Sequence, residues 1–287
     1  MTTFNWLVFA GFLALGAAWT LYLSHKASSS QSYFVSDKNT PLFALIATLV
    51  MTELNTSTLV GFASMGYIFS PSASLLACVF LAGLMFYAMT VAKKWKQFDG
   101  ITVTTYFTER YNPTIGFIAA IILLTTMLGF SANFLKSVTV LFQPLFPGLS
   151  PWSLSAVFCA LMLIITLRGG LKSIIRIDII SFLITLILLP LLYWFSSNNG
   201  MPHTPLEPTS DSFPHHIILS HSIITMFTYI LAPWYGQKIF AARCEKTAFK
   251  AVFISAIIIS AIYALAILSA HWAAVDPRAN QIGRAHV

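Results

Sequence analysis

A glutamate sits in the middle of a stretch otherwise apolar enough to cross a bilayer. Residues 42–69 read LFALIATLVMTELNTSTLVGFASMGYIF, and Thr52-Glu53-Leu54-Asn55-Thr56-Ser57-Thr58 interrupts them. A carboxylate at bilayer depth is costly, so it faces a cavity, a partner or an ion path. With Gly61 and Gly66 behind it, the polar run predicts a broken transmembrane helix of the kind that builds a midplane binding site. Glu53 either tunes cation binding or accepts a proton; the alternative is a packing role, paired with Lys136 or with hydroxyls of the spans. Thr56, Ser57 and Thr58 form a hydroxyl stripe that either faces a solute or satisfies its own helix backbone. A second interruption is Pro233-Trp234-Tyr235-Gly236-Gln237. Proline cannot donate a backbone hydrogen bond and glycine admits unusual dihedrals, so a break opposite the first is expected there. Trp234 or Tyr235 then gates or stacks on a solute, or belongs to an interfacial aromatic belt. Gln237 and Lys238 mark the cytoplasmic exit of that span.

Two more ionisable groups lie inside apolar segments. Lys136 is seven residues before Gln143, near enough to a span end to snorkel, and otherwise pairs with Glu53 or attracts an anionic solute. Asp178 lies four residues into a span that follows Arg168, Lys172 and Arg176, where it could balance those charges. His215, His216 and His221 have no metal-ligand spacing. Gly169-Gly170 lacks the rest of a phosphate loop and reads as a tight turn between helices. No nucleophile triad, redox centre or nucleotide motif is present in the sequence.

The elements that must position these residues are transmembrane helices. The chain is 57% hydrophobic and 9% charged, with a mean hydropathy of +0.79, whereas a soluble domain carries about 25% charged residues. Eight spans are expected, at roughly 4–23, 42–69, 72–92, 114–142, 151–167, 174–195, 217–236 and 249–273. Basic residues fall in alternate connections: Lys26 and Lys38; Lys93, Lys94, Lys96 and Arg110; Arg168, Lys172 and Arg176; Lys238, Arg243, Lys246 and Lys250. The intervening turns carry no Lys or Arg, and residues 196–216 carry only Glu207 and Asp211. The positive-inside rule makes the basic face cytoplasmic and puts the N-terminus outside, periplasmic for a bacterial inner membrane. The net charge of +7 therefore reports topology and not a nucleic-acid partner. The first span lacks the basic n-region of a signal peptide.

The C-terminal residues read differently. Ile282-Gly-Arg-Ala-His-Val287 can be encoded by ATCGGAAGAGCACACGTC, a string that resembles a sequencing adapter in frame. Residues 282–287 are expected to be a non-native tail, and residues 1–276 the front portion of a longer transmembrane domain.

Across residues 33–250 the sequence resembles the sodium:solute symporter family, which contains the sodium/proline and sodium/galactose symporters. Tyr33-Phe34 with Asp37-Lys38 looks like the family's lead-in to its first broken helix. Thr58-Leu59-Val60-Gly61-Phe62-Ala63-Ser64-Met65-Gly66-Tyr67 looks like its F-x-G-x-P-G-x-x-Y run. Tyr106-Phe107-Thr108-Glu109-Arg110-Tyr111 is similar to its Y-(F/L)-x-x-R-(Y/F) ending. Gly169-Gly170-Leu171-Lys172-Ser173 with Asp178 resembles its GG-x-x-A-V-x-x-T-D motif, although Ile177 and Ser181 depart from the usual threonine and glutamine. Tyr235-Gly236-Gln237 with Arg243 is a fifth, weaker match.

The resemblance implies an all-α polytopic membrane protein with a leucine-transporter-like inverted-repeat core, truncated after about eight transmembrane helices. One extra helix comes first, residues 42–195 form the first repeat, and residues 217–273 begin the second. It further implies sodium bound by the backbone carbonyls of Met51 and Leu54, and a solute met by Ser57, Thr58, Trp234 and Tyr235. Glu53 and Asp178 are implied in ion coupling; Glu53 stands where sodium/proline symporters carry an aspartate. The expected function is sodium-coupled symport of a small organic solute across the inner membrane, with no catalytic residue, no cofactor beyond the coupling ion, and the lipid bilayer as its surroundings. Two alternatives stand beside it: a proton-coupled carrier, and a symporter-like membrane sensor domain of a histidine kinase.

Overall fold

The structure is a computed structural model that describes residues 11, 22, 30–69, 71–98, 100–146, 148–198 and 215–274. The expected first span at 4–23 and the tail at 282–287 fall outside the described residues, apart from single positions of the former.

Every other expected span lies on a helix. α1 (Ser30–Val35) leads in, and α2 (Leu42–Glu53) and α3 (Thr56–Ile68) follow, bent by 64° at the break between them. A 3-10 segment (Pro71–Ala77) runs into α4 (Cys78–Tyr87), which passes through a π turn (Ala88–Ala92) into α5 (Lys93–Phe98). The short α6 (Val103–Arg110) and the long α7 (Pro113–Phe142) come next. α8 (Pro151–Asn198) is two arms joined at Gly170. α9 (His215–Leu231) and α10 (Pro233–Phe240) form a second bent pair, at 49°, and α11 (Glu245–Ala274) ends the described chain.

A helix satisfies its backbone hydrogen bonds within one segment inside a bilayer, which is why long apolar segments such as these resolve into helices. Their placement follows how much surface each can bury. The apolar window of α11 is 50% buried and that of α7 only 6%, so α11 is central and α7 peripheral. α11 packs on α2, α3, α4 and α8, and α9 packs on α4. Leu124, Ile187, Phe227 and Trp152 point outward from the bundle, a hydrocarbon-facing surface that water would not tolerate.

Close approach needs glycine at Gly66 and at Gly170, among others. A Cβ on Gly66 would run into the main-chain carbonyl of Ile267, so α3 lies directly on α11. Gly170 has φ +57° and ψ −157°, a region essentially closed to other residues, and a Cβ there would also meet the Tyr33 carbonyl at 2.5 Å.

The distant motifs converge at one end of the bundle. The Tyr33 hydroxyl donates to the Thr166 carbonyl (3.2 Å), Lys172 pairs with Asp37 (3.0 Å), and Gln237 Nε2 donates to the Phe34 carbonyl (3.0 Å). Thr40 N–H bonds the Ala241 carbonyl (2.9 Å) and Arg243 N–H bonds the Thr40 carbonyl (3.2 Å), stapling the entry of α2 to the exit of α10.

Candidate functional site

The first break is built by Asn55. It is the N-cap of α3, with its Oδ1 accepting from Thr58 N–H (2.9 Å) and from the Thr58 hydroxyl (3.0 Å), and its Nδ2 donating to the Glu53 carbonyl (3.0 Å). This diverts two donors from their ordinary i−4 partners. Asn55 N–H would otherwise bond the Met51 carbonyl and instead bonds Glu53 O at 2.8 Å. Thr58 N–H would otherwise bond the Leu54 carbonyl and instead bonds the Asn55 side chain. The carbonyls of Met51 and Leu54, both singled out by the sequence, are thereby released from their helical donors. The end of α2 is closed from afar, because the Tyr263 hydroxyl of α11 donates to the Glu53 carbonyl at 2.5 Å. Tyr263 is fixed between Phe62 and Phe80, with ring centroids at 4.7 and 4.8 Å.

The second break lies at Ala232 (φ −59°, ψ 109°), one residue before Pro233. Proline excludes the helical conformation at the residue before it and starts a new helix well. Gly236 is not the hinge; it sits inside α10, its N–H bonded to the Ala232 carbonyl at 2.9 Å. Trp234 leaves the break toward the first one, and its Nε1 donates to Glu53 Oε1 at 3.2 Å. Phe130 of α7 meets the Trp234 ring edge-on at 5.2 Å.

Between the two breaks lies a cavity of about 190 Å³ lined by Thr52, Glu53, Asn55, Ser57, Thr58, Met127, Phe130, Asn133, Phe134 and Trp234. The α2–α3 side supplies a carboxylate, an amide and hydroxyls, while α7 and Trp234 supply aromatic rings, a thioether and the Asn133 amide. Asn133 Nδ2 donates to Ser57 Oγ at 2.8 Å, so α7 supplies a polar group that the sequence reading did not single out. Its only signal was one amide in a span otherwise rich in apolar residues.

The structure thus brings together Glu53, Ser57, Thr58 and Trp234, with Met51 and Leu54 at the adjoining break. Tyr235 is placed elsewhere. It is fully buried against Tyr87 and Tyr229, at ring distances of 5.8 and 5.1 Å, away from the cavity lining. One helical step of 100° separates it from Trp234, so the two neighbours cannot face the same space.

Lys238 is the largest departure from expectation. It does not mark an exit: it is buried, and its Nζ reaches the Thr48 carbonyl (2.8 Å), Thr48 Oγ1 (2.6 Å), Thr52 Oγ1 and Asp178 Oδ2 (3.1 Å). The 49° bend carries the start of α10 inward and turns an apparent loop residue into a core one. Asp178, on the second arm of α8, is held by this ammonium and by the Thr48 hydroxyl. Lys136 is exposed and makes no pair with Glu53.

Two bent spans meeting across a mainly apolar cavity that also holds a carboxylate, amides and hydroxyls define a membrane bundle of the broken-helix class. A model of the sodium:solute symporter family matches residues 33–284. The chain belongs to that family, whose members are transporters. Among solved structures it is similar to a Na+-coupled sialic acid symporter in its substrate-bound, outward-open state, with a TM-score of 0.80 at 17% identity. That alignment covers 98% of this chain and 62% of the other, so the chain spans less than two thirds of that protein's length. The likeness shows the fold, all-α and leucine-transporter-like, as the sequence implied. No curated protein matches the chain.

Proposed function

We propose that the protein is a secondary active transporter that couples sodium to uptake of a small organic solute across the bacterial inner membrane, N-terminus periplasmic. Residues 42–195 act as the first inverted repeat and residues 217–273 open the second. Sodium binds at the Met51 and Leu54 carbonyls, and the solute occupies the adjoining cavity against Ser57, Thr58 and Trp234. The observation that carries this reading is the break at Leu54-Asn55, where two carbonyls lose their helical donors beside a cavity that offers a carboxylate, amides and hydroxyls. Charge supports it. Glu53, Asp178 and Lys238 share the interior, and when both carboxylates are ionised they outnumber the one ammonium by a charge that one monovalent cation neutralises. Glu53 and Asp178 serve ion coupling, Asp178 through its hold on Lys238. The ion gradient supplies the free energy.

The test is uptake into proteoliposomes under an inward Na+ gradient, with radiolabelled amino acids, hexoses, sialic acid and monocarboxylates as probes. The reading expects one class to accumulate with Na+ and not with N-methylglucamine. Accumulation driven by a pH gradient without Na+, and lost in Glu53→Gln, would establish the proton-coupled alternative, which the enclosed Glu53 carboxylate favours. Full sodium dependence in Glu53→Gln removes Glu53 from the coupling.

A further inference from the structure

The Lys238 ammonium lies in a cage made wholly of oxygen: the Thr48 carbonyl, the Thr48 and Thr52 hydroxyls and one Asp178 carboxylate oxygen. The hydrogens of that cage can be placed by elimination. The Thr48 hydroxyl donates to Asp178 Oδ2, and the Thr52 hydroxyl donates to the Thr48 carbonyl (2.6 Å). A hydroxyl has one proton, so each of these two already spends its own elsewhere and turns its lone pairs toward Nζ. All four oxygens therefore present electron density to a single point, and none presents a proton.

That arrangement is not specific to an amine. A hard monovalent cation asks for the same thing, several oxygen lone pairs converging on one centre and a carboxylate for charge. We propose that Thr48, Thr52 and Asp178 form a monovalent-cation site whose resident cation is the tethered ammonium of Lys238. The side chain fills the site permanently, so the protein draws no dissolved ion there and keeps α2, α8 and α10 tied through one charge. Nothing in the sequence announces this, because the lysine reads as part of the basic stretch Lys238–Lys250. The site is distinct from the Met51 and Leu54 carbonyls, which lie at the break and touch neither Lys238 nor Asp178 through any bond described above.

Physical chemistry supplies the consequence. Removing one partner of a buried ion pair leaves the other charge uncompensated, and the structure must then neutralise it or lose stability. A Lys238→Ala chain keeps the cage, frees the volume of the lysine stem for water, and leaves the Asp178 carboxylate, 16% exposed, in search of a cation. Sodium is supplied by the medium and fits.

The experiment is equilibrium 22Na+ binding to the full-length protein in nanodiscs, comparing parent, Lys238→Ala and Lys238→Ala/Asp178→Asn at alkaline pH. Melting is recorded in Na+ and in N-methylglucamine. The inference expects Lys238→Ala to bind one more Na+ per molecule than the parent, and Na+ to raise its melting temperature by more than it raises the parent's. The double variant returns to the parental stoichiometry. Equal stoichiometry in parent and Lys238→Ala overturns the inference, as does an extra ion that survives Asp178→Asn. Failure to recover Lys238→Ala even in Na+ overturns it too, since sodium should then replace the ammonium. The inference builds on the proposed transport reading only in calling the medium's cation sodium. Binding is read without any solute, so loss of Na+-driven uptake in the parent and loss of the extra ion in the variant are separate results.

Discussion

Asn55→Ala is the perturbation that separates a designed break from an accidental kink. The Asn55 side chain makes three hydrogen bonds, two to Thr58 and one to the Glu53 carbonyl. The last is dispensable, because Glu53 O keeps the Asn55 N–H at 2.8 Å and the Tyr263 hydroxyl at 2.5 Å. The cap is not, since Thr58 N–H has no second partner while the break is open. Losing an N-cap costs about 1 kcal/mol in water, and an unpaired donor in hydrocarbon costs several. The chain escapes by swinging Thr58 N–H back to the Leu54 carbonyl, extending α3 by one residue. Stability then falls by only about 1 kcal/mol, but the Leu54 carbonyl is consumed. A cation must break that new bond, worth about 0.5–1.5 kcal/mol net, so Na+ affinity falls up to about tenfold. Asn55→Ser keeps a capping oxygen and should fall less. The assay is 22Na+ binding together with thermal melting in nanodiscs. Parental Na+ affinity in Asn55→Ala, or an equal loss in Asn55→Ser, refutes the claim that the cap holds the carbonyls open.

Gly170→Ala forces a Cβ into a backbone region that costs a non-glycine residue about 1–3 kcal/mol and against the Tyr33 carbonyl, so melting temperature and yield should drop. Gly129→Ala is its control, with nothing within 4 Å of the added carbon, and should be neutral or better. Gly66→Val should separate α3 from α11 at Ile267, with a larger loss of melting temperature than Gly61→Val, where the space is open. Tyr263→Phe removes the donor to the Glu53 carbonyl but keeps the ring stack with Phe62 and Phe80, so Na+ affinity should fall while the melting temperature changes by little.

How much of this was legible depended on sequence distance. The first break announced itself, because Glu53 and its hydroxyl neighbours contradict an apolar context within a single span. Asn55 stood at an N-cap position in that same run, a local signal passed over in favour of the charged residue. The second break was legible from Pro233, but its hinge fell at Ala232 because a proline acts on the residue before it, not on the glycine behind. The resemblance implied Tyr235 as a solute contact beside Trp234, and helical rotation sends it to Tyr87 and Tyr229 instead. Lys238 follows an apolar run and reads as an exit residue, but distance along the chain is not depth in the membrane where a span bends by 49°. Tyr263 closes the first break from 210 residues away, a separation at which no periodicity or local motif speaks.

Glu53 is held from two directions at once. α11 grips the Glu53 carbonyl through Tyr263, and α10 grips its carboxylate through Trp234. One and five residues before Glu53 on the same helix, Thr52 and Thr48 are also held by α10, through Lys238. The carbonyls opened by Asn55 therefore cannot close independently of α10, and α10 cannot swing outward without withdrawing an ammonium from an oxygen cage. A cation at Met51 and Leu54 would stabilise the open break, and the open break is the form that presents Glu53 to Trp234 at the wall of the cavity. The proposed ion and solute sites would thus share one mechanical element, with the linkage running through side chains and not through overlap of the sites. Coupling of this kind is reciprocal: if sodium orders the cavity through Glu53 and Trp234, a bound solute must tighten sodium by the same factor. Trp234→Phe keeps an aromatic wall but loses the indole donor, and so should reduce that factor in both directions while leaving each ligand able to bind alone.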